Sequence, residues 1–222
     1  MKPGQALLLF TATLAVAIPL CILFSDQPVA LFCHQFTAYK RLFQVCAAPS
    51  LLALPGAGLY LIWAVWRHLR GRAPGPRLWL AMSLATMAAT AAKDELKWVF
   101  GRPWPGTWMK YGIYQFHPFT VSLFFGAFPS GHTAYISAPL GVLWVLRPHL
   151  RWLWGGVIGL VMAGLVAANY HFLGDVLGGL LTGTLCAWGT LVLMGGAGAP
   201  WASSGGYGRD GNASPAQPRA RG

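Results

Sequence analysis

Charge is the scarcest property of this chain. Charged residues occupy 9% of its 222 positions, whereas ordinary soluble domains carry roughly a quarter, and this argues against a soluble globular enzyme. Acidic residues are the scarcer sign: five Asp and Glu stand against sixteen Lys and Arg, a net charge of +11. Such an excess points either to nucleic acid or to an anionic membrane surface. Hydrophobicity decides between the two. With 55% hydrophobic residues, eleven Trp, twelve Phe and 28 Gly, the composition fits a helical membrane protein, and no nucleic-acid partner is expected. Cysteine is also scarce. The four present include no Cys-x-x-Cys pair, which removes a disulfide framework and a zinc site as organising elements. Cys21 and Cys186 read as small core residues, while Cys33 and Cys46 share one loop and could pair if it is oxidised.

Crossing about 30 Å of hydrocarbon takes about 20 apolar residues. Six runs qualify, at about 6–24, 50–66, 78–100, 133–146, 152–169 and 176–194, the third interrupted near its end by Lys93, Asp94, Glu95 and Lys97. The first run has Lys2 as its only basic flank and no small-x-small cleavage pattern, so it reads as a retained span rather than a signal peptide. The expected fold class is all-α, a polytopic bundle of six transmembrane helices over residues 1–194. From Gly195 onward Gly, Ala, Ser, Pro and Arg dominate, and 195–222 is expected to be a disordered cytoplasmic tail. The stretch Pro28 to Val45 mixes Phe32, Phe36 and Phe43 with His34, Lys40 and Arg41, a pattern suited to a helix lying in the membrane interface.

Four arginines lie in the link from Arg67 to Arg77, and Arg147 and Arg151 flank the turn between the fourth and fifth spans. Both links read as cytoplasmic, which puts both termini inside and the segments 25–49, 101–132 and 170–175 on the outer side. The Asn212-Ala213-Ser214 glycosylation pattern then falls on the wrong side for use. The basic excess becomes a topology signal together with contact to anionic headgroups.

The chemistry-bearing residues concentrate in the outer segments. Phe128-Pro129-Ser130-Gly131-His132-Thr133 leads into the fourth span. A Ser-Gly turn running into a helix exposes backbone N–H groups, and with the helix dipole these favour a phosphate, with His132 beside it; a capping Ser and an interfacial His are the plain alternative. His171 and Asp175 in Asn169-Tyr170-His171-Phe172-Leu173-Gly174-Asp175 are four residues apart. At that spacing a carboxylate can hold one imidazole nitrogen and leave the other to attack, although Asp175 could merely cap the last helix. Lys97-Trp98-Val99-Phe100-Gly101-Arg102-Pro103-Trp104-Pro105 closes the third span. Lys97 near the membrane boundary calls for an anion or for snorkelling, and Arg102 can grip phosphate oxygens in bidentate fashion.

In this order the three segments resemble the type 2 phosphatidic acid phosphatase superfamily, whose signature is a Lys and Arg-Pro block, then Pro-Ser-Gly-His, then His-x-x-x-Asp. The resemblance spans most of the chain. It implies a six-helix bundle with the site at its outer mouth, in a bacterial inner membrane. It further implies hydrolysis of a lipid phosphate or diphosphate, with transient phosphorylation of the final His and neither metal nor cofactor. His171 would be the nucleophile on phosphorus, Asp175 its orienting partner and His132 the general acid. Lys97, Arg102 and the backbone around Ser130 and Gly131 would hold the phosphate, and the partners would be the substrate and membrane lipids.

Two positions depart from the signature. The residue seven after Lys97, usually Arg, is Trp104, and the position six before His171, also usually Arg, is Leu165. Losing a bidentate contact costs about a hundredfold in rate unless another cation compensates; Arg102 could stand in, and Lys93, Lys110 and Arg41 are further candidates. Trp104, Trp108, Tyr111, Tyr114, Phe116, His117 and Phe119 form an aromatic outer loop that reads as an interface anchor, or as a lid over the site. A lipid phosphotransferase, a phospholipid-binding member without turnover and a channel are the alternatives to a phosphatase. The channel is disfavoured because the ionisable residues cluster at one mouth.

Overall fold

The computed structural model describes residues 3–195, which leaves the expected tail, except Gly195, outside the described residues. Eight α-helices follow one another: α1 (Pro3–Leu20), α2 (Asp26–His34), α3 (Lys40–Leu69), α4 (Arg77–Phe100), α5 (Pro105–Tyr111), α6 (Gly131–Leu146), α7 (Arg151–Ala167) and α8 (Leu173–Leu193). A π-helical turn over Cys21–Ser25 makes α1 and α2 one continuous rod. With α1 and α2 joined and α5 only seven residues long, six long rods remain, and the protein is an all-helical polytopic membrane bundle. Four of the rods are long and apolar enough to cross a membrane by length and composition alone: Gly4–His34, Thr37–Leu69, Pro148–Ala167 and Leu173–Leu193. Two are handicapped for identifiable reasons. α4 carries Lys93, Asp94, Glu95 and Lys97 in its last two turns, and α6 has only 16 residues.

The expected interfacial helix over Pro28 to Val45 is not present as one element. Residues up to His34 extend the first rod, and Lys40 begins α3, with a short 3-10 turn over Thr37–Tyr39 between them. Pro28 falls at the third position of α2, directly after the π-helical turn, so the missing N–H falls where the rod's hydrogen-bond ladder already departs from regular α-helix. Cys33 and Cys46 therefore sit on different helices, and all four cysteines are free thiols.

Small residues set the helix spacing, as in membrane bundles where helices associate by close packing. Ala81, Ala85 and Ala89 of α4 meet Ala134 and Ala138 of α6 and Ala187 of α8 in one buried cluster. The approach of α6 to α8 requires glycine: a Cβ on Gly183 would fall 2.7 Å from the Ala134 carbonyl oxygen and 2.9 Å from the Ala138 nitrogen. Apolar side chains such as Leu8, Leu59, Ile62 and Leu193 instead point outward and are largely exposed. They form the perimeter that lipid covers.

The C-terminus of α4, the N-terminus of α6, the C-terminus of α7 and the N-terminus of α8 lie at one end of the bundle, hereafter the mouth. Gly101 ends α4 in the left-handed conformation, φ 55°, with its N–H donating to the Lys97 carbonyl at 2.9 Å. A side chain there would also strike the His117 carbonyl oxygen. The connection from Gly101 to Ser130 is pinned by its own backbone. His117 N–H donates to the Gly101 carbonyl at 2.9 Å, and Gly126 and Ala127 N–H donate to the Arg102 carbonyl at 2.7 and 2.9 Å.

Candidate active site

Ser130 starts α6 as its N-cap. Its hydroxyl oxygen accepts the Thr133 N–H at 3.4 Å and the Thr133 hydroxyl at 3.1 Å. The Ser130 N–H donates to the Asp175 carbonyl at 2.9 Å, which ties the Pro-Ser-Gly-His turn to the His-x-x-x-Asp turn. That N–H is thus already engaged. The next two, on Gly131 and His132, stand ahead of any intrahelical acceptor at the positive end of the helix dipole.

His171 is 3% exposed in the turn between α7 and α8. Its Nδ1 lies 3.5 Å from Asp175 Oδ2 and has no hydrogen-bond partner. The carboxylate itself is fixed from two sides. Oδ2 accepts the Phe172 N–H at 2.9 Å, capping α8, and Oδ1 accepts Arg102 Nη1 at 2.6 Å. Burial holds the His171 imidazole below the usual histidine range, opposed by Asp175 and assisted by Lys97, so the ring is neutral at pH 7. His132 is lowered as well, first by burial and then by its basic neighbours His171, Lys97 and Lys93.

Arg102 occupies a different place from the one its sequence context suggests. Its side chain is fully buried, and its two Nη atoms donate to Asp175 Oδ1 and Asp26 Oδ2, both at 2.6 Å; Nη2 also contacts the Tyr114 hydroxyl at 3.0 Å. The rings of Phe172, Phe116 and Tyr114 surround the guanidinium at 4.6, 5.4 and 5.6 Å. Two carboxylates and an aromatic box commit this cation to the scaffold, so its Nη donors do not point into the space beside His132. The aromatic loop is accordingly wall rather than cover at Tyr114 and Phe116, while His117 is exposed and packs on Phe125 at 4.4 Å.

Asp26 is the residue that sequence reasoning missed. It is 1% exposed, and its Oδ1 accepts the Gly174 N–H at 2.8 Å while Oδ2 takes Arg102, so the first rod is bound to the start of α8. A lone acid at the end of a long apolar run was the available signal, since a carboxylate at such depth needs a cation or a donor.

Lys97 remains at the mouth. Its Nζ donates to the Gly126 carbonyl and stands 4.9 Å from the Trp104 ring, which in turn packs against the His171 ring at 5.1 Å. Trp104 therefore fills the space between Lys97 and the imidazole. Among the other cations considered, Lys110 lines a separate cavity with Lys40, and Arg41 is exposed. Lys93 is buried against α6. A cavity of about 250 Å³ reaches His132 from between α3 and α7, lined by Gln44, Ala47, Leu51, Gly164, Leu165, Ala168 and Tyr170. Leu165 thus contributes an apolar side chain to the lining of the cavity that reaches His132.

Comparison with known proteins bears on this geometry in three ways. No curated protein matches the chain. Among solved structures, the first transmembrane PAP2-type phosphatidylglycerolphosphate phosphatase from Bacillus subtilis is similar, at 19% identity and a TM-score of 0.53, over 88% of this chain and 97% of that one. This likeness speaks to the fold. The family model of the PAP2 superfamily matches residues 77–198, from the start of α4 to past the end of α8, and so takes in all three signature turns. With that match over more than half of its length, the chain belongs to the PAP2 superfamily.

Proposed function

We propose that this membrane protein is a metal-independent phosphatase that hydrolyses a lipid phosphate or diphosphate monoester through a phosphohistidine. The observation that carries this reading is the pairing of His171, neutral and backed by a carboxylate fixed on both oxygens, with His132 on the first turn of α6. Nδ1 keeps its proton on the Asp175 side and Nε2 attacks phosphorus. The phosphorus–oxygen bond to the leaving group breaks, and His132 supplies the proton that the leaving oxygen needs. Water, deprotonated by His132, then attacks phosphorus and breaks the phosphorus–nitrogen bond, restoring His171 and releasing phosphate.

Lys97 and the N–H groups of Gly131 and His132 hold the equatorial oxygens, the main source of catalysis in phosphoryl transfer. Ser130 contributes by capping that turn. Arg102 acts one step back, as a positioning residue that fixes Asp175. The apolar cavity between α3 and α7 suits a chain that leaves the bilayer sideways, and this favours an amphiphilic substrate over a soluble one. The arginines of the 67–77 link favour a site facing outward from a bacterial inner membrane, with both termini in the cytoplasm.

The test is phosphate release by the purified, detergent-solubilised chain from a panel of lipid monophosphates and diphosphates in EDTA. The parent should release phosphate and His171→Ala should lose about 10⁴-fold or more. Release that survives the substitution would refute the phosphohistidine. Transfer of the phosphoryl group to a second lipid without free phosphate would make the protein a phosphotransferase, and binding without any turnover would make it a phospholipid-binding member.

A further inference from the structure

A phosphate monoester brings about −1.5 to −2 charges at neutral pH. Arg102 is committed to Asp26 and Asp175, and both active-site imidazoles start neutral or nearly so, which leaves Lys97 as a single positive charge. Lys97 and Lys93 both hold the His132 pKa down, so both lie within electrostatic reach of it. Lys93 precedes Lys97 by one turn of α4, so the two share a face.

The placement of Lys93 is unusual for a lysine. Its side chain is 10% exposed. The stem lies across the first residue of α6, where a Cβ on Gly131 would stand 3.3 Å from its Cδ and 3.6 Å from its Cε, and Nζ is 5.5 Å from the Tyr135 ring one turn further along. The ammonium contacts Asp94, an adjacent residue whose side chain is 59% exposed. A buried ammonium calls for a partner, and here it lies beside the positive end of a helix dipole, which repels it. That juxtaposition becomes favourable when an anion sits between the two.

We propose that Lys93 is a phosphate-binding residue, the second cation of the site, which with Lys97 and the first turn of α6 holds the oxygens of the phosphoryl group at His171. The inference rests on the phosphatase reading above. The incoming dianion replaces the exposed Asp94 carboxylate as the partner of Lys93. The site then draws its two cations from one face of α4, while Trp104 and Leu165 contribute apolar surface rather than charge.

Two measurements on the purified full chain test this in EDTA: kcat/KM for the panel lipid hydrolysed fastest, and the rise in melting temperature caused by inorganic phosphate, which reports binding to the native state. Lys93→Met should lower kcat/KM by about thirtyfold or more and remove most of the phosphate-induced rise. Lys93→Gln, which keeps length and polarity, should do the same and covers the case in which the Met variant fails to fold. Lys93→Arg should stay within about fivefold of the parent, and Asp94→Asn, which removes only the present carboxylate partner and leaves Tyr135, should leave both readouts at or above parental values. If the Met and Gln variants keep parental kcat/KM and the full phosphate-induced rise, Lys93 is no ligand, while the phosphatase reading stands on the parent's activity. If the parent releases no phosphate from any lipid, the phosphatase reading falls and the thermal measurement alone judges Lys93: a rise absent in the parent, or undiminished in both variants, overturns the proposal.

Discussion

His171 stands between two regions that treat positive charge in opposite ways. On one side Arg102 lies fully buried between Asp26 and Asp175, enclosed by Phe172, Phe116 and Tyr114, with both Nη donors satisfied. On the other side Lys97 and Lys93 meet a backbone carbonyl, two aromatic rings and one exposed carboxylate. The first region balances its charge within the protein, two carboxylates to one guanidinium, and leaves only the buried Nε of Arg102 without a partner. The second holds cations next to a helix N-terminus and is electrostatically unfinished. Under the proposed function the difference separates scaffold from site, with an arginine in a signature turn assigned to the former and two lysines on a charged helix end to the latter.

Removing one cation from each side tests this most directly. Arg102→Met leaves two buried carboxylates facing each other without a counter-charge, and breaking such a pair costs about 3–5 kcal/mol. The expected outcome is a large fall in melting temperature, with the loss of activity following from the loss of fold. Lys97→Met removes a hydrogen bond to one carbonyl, worth about 1 kcal/mol, yet should lower kcat/KM about a hundredfold because a donor to the transition state is gone. Thermal melts beside kinetics on both variants check the contrast. An Arg102 variant that melts like the parent, or a Lys97 variant that turns over like it, would erase the distinction.

A smaller effect is expected in the pH profile of kcat/KM, which reports the free enzyme. In the proposed mechanism His171 attacks as the neutral imidazole and His132 acts as the acid, so activity should rise with pH through the His171 pKa. Burial places that pKa below the ordinary 6.5, and the acid limb should therefore lie below pH 6.5. His132 must carry a proton to act as acid, and its pKa is lowered too, so activity declines again on the alkaline side of that value. Lys97 lowers both groups, and Lys97→Met should move both limbs to higher pH. Limbs that stay in place would put Lys97 out of electrostatic reach of the imidazoles.

The legible part of this protein was local. Apolar runs gave the long helices, and Ser130, His132, His171 and Asp175 could be picked out as candidates because each proposed role falls within one turn of sequence. What could not be read was long-range. The fork of Arg102 joins Asp26 and Asp175 across separations of 76 and 73 residues, and no local pattern reveals which carboxylate will meet which guanidinium. The segment Pro28 to Val45 was misjudged because its mixed polarity was read as amphipathicity. In the structure it is the end of one rod and the beginning of another, and Lys40 instead stands over the Tyr170 ring at 5.4 Å. Lys93 was ambiguous for a related reason, since an i,i+1 pair with Asp94 is visible in sequence whereas its passage across Gly131 is not.

The smallest effect concerns Trp104, which borders both regions. Its ring packs on His171 at 5.1 Å and lies 4.9 Å from the Lys97 ammonium, so it limits how far each can move. Trp104→Arg would introduce a bidentate phosphate donor beside the nucleophile. It would also remove the aromatic face that attracts Lys97 and put a like charge in its place. These consequences oppose each other, and the expected result is a KM lower by at most about tenfold with kcat changed less, because the gain falls mainly on binding shared by substrate and transition state. Trp104→Phe keeps a ring against His171 and should stay within about threefold of the parent. A large rise in kcat for Trp104→Arg would mean that the lysine side is deficient in transition-state charge, and a fall below the Phe variant would mean that holding the His171 ring in place matters more than a third cation.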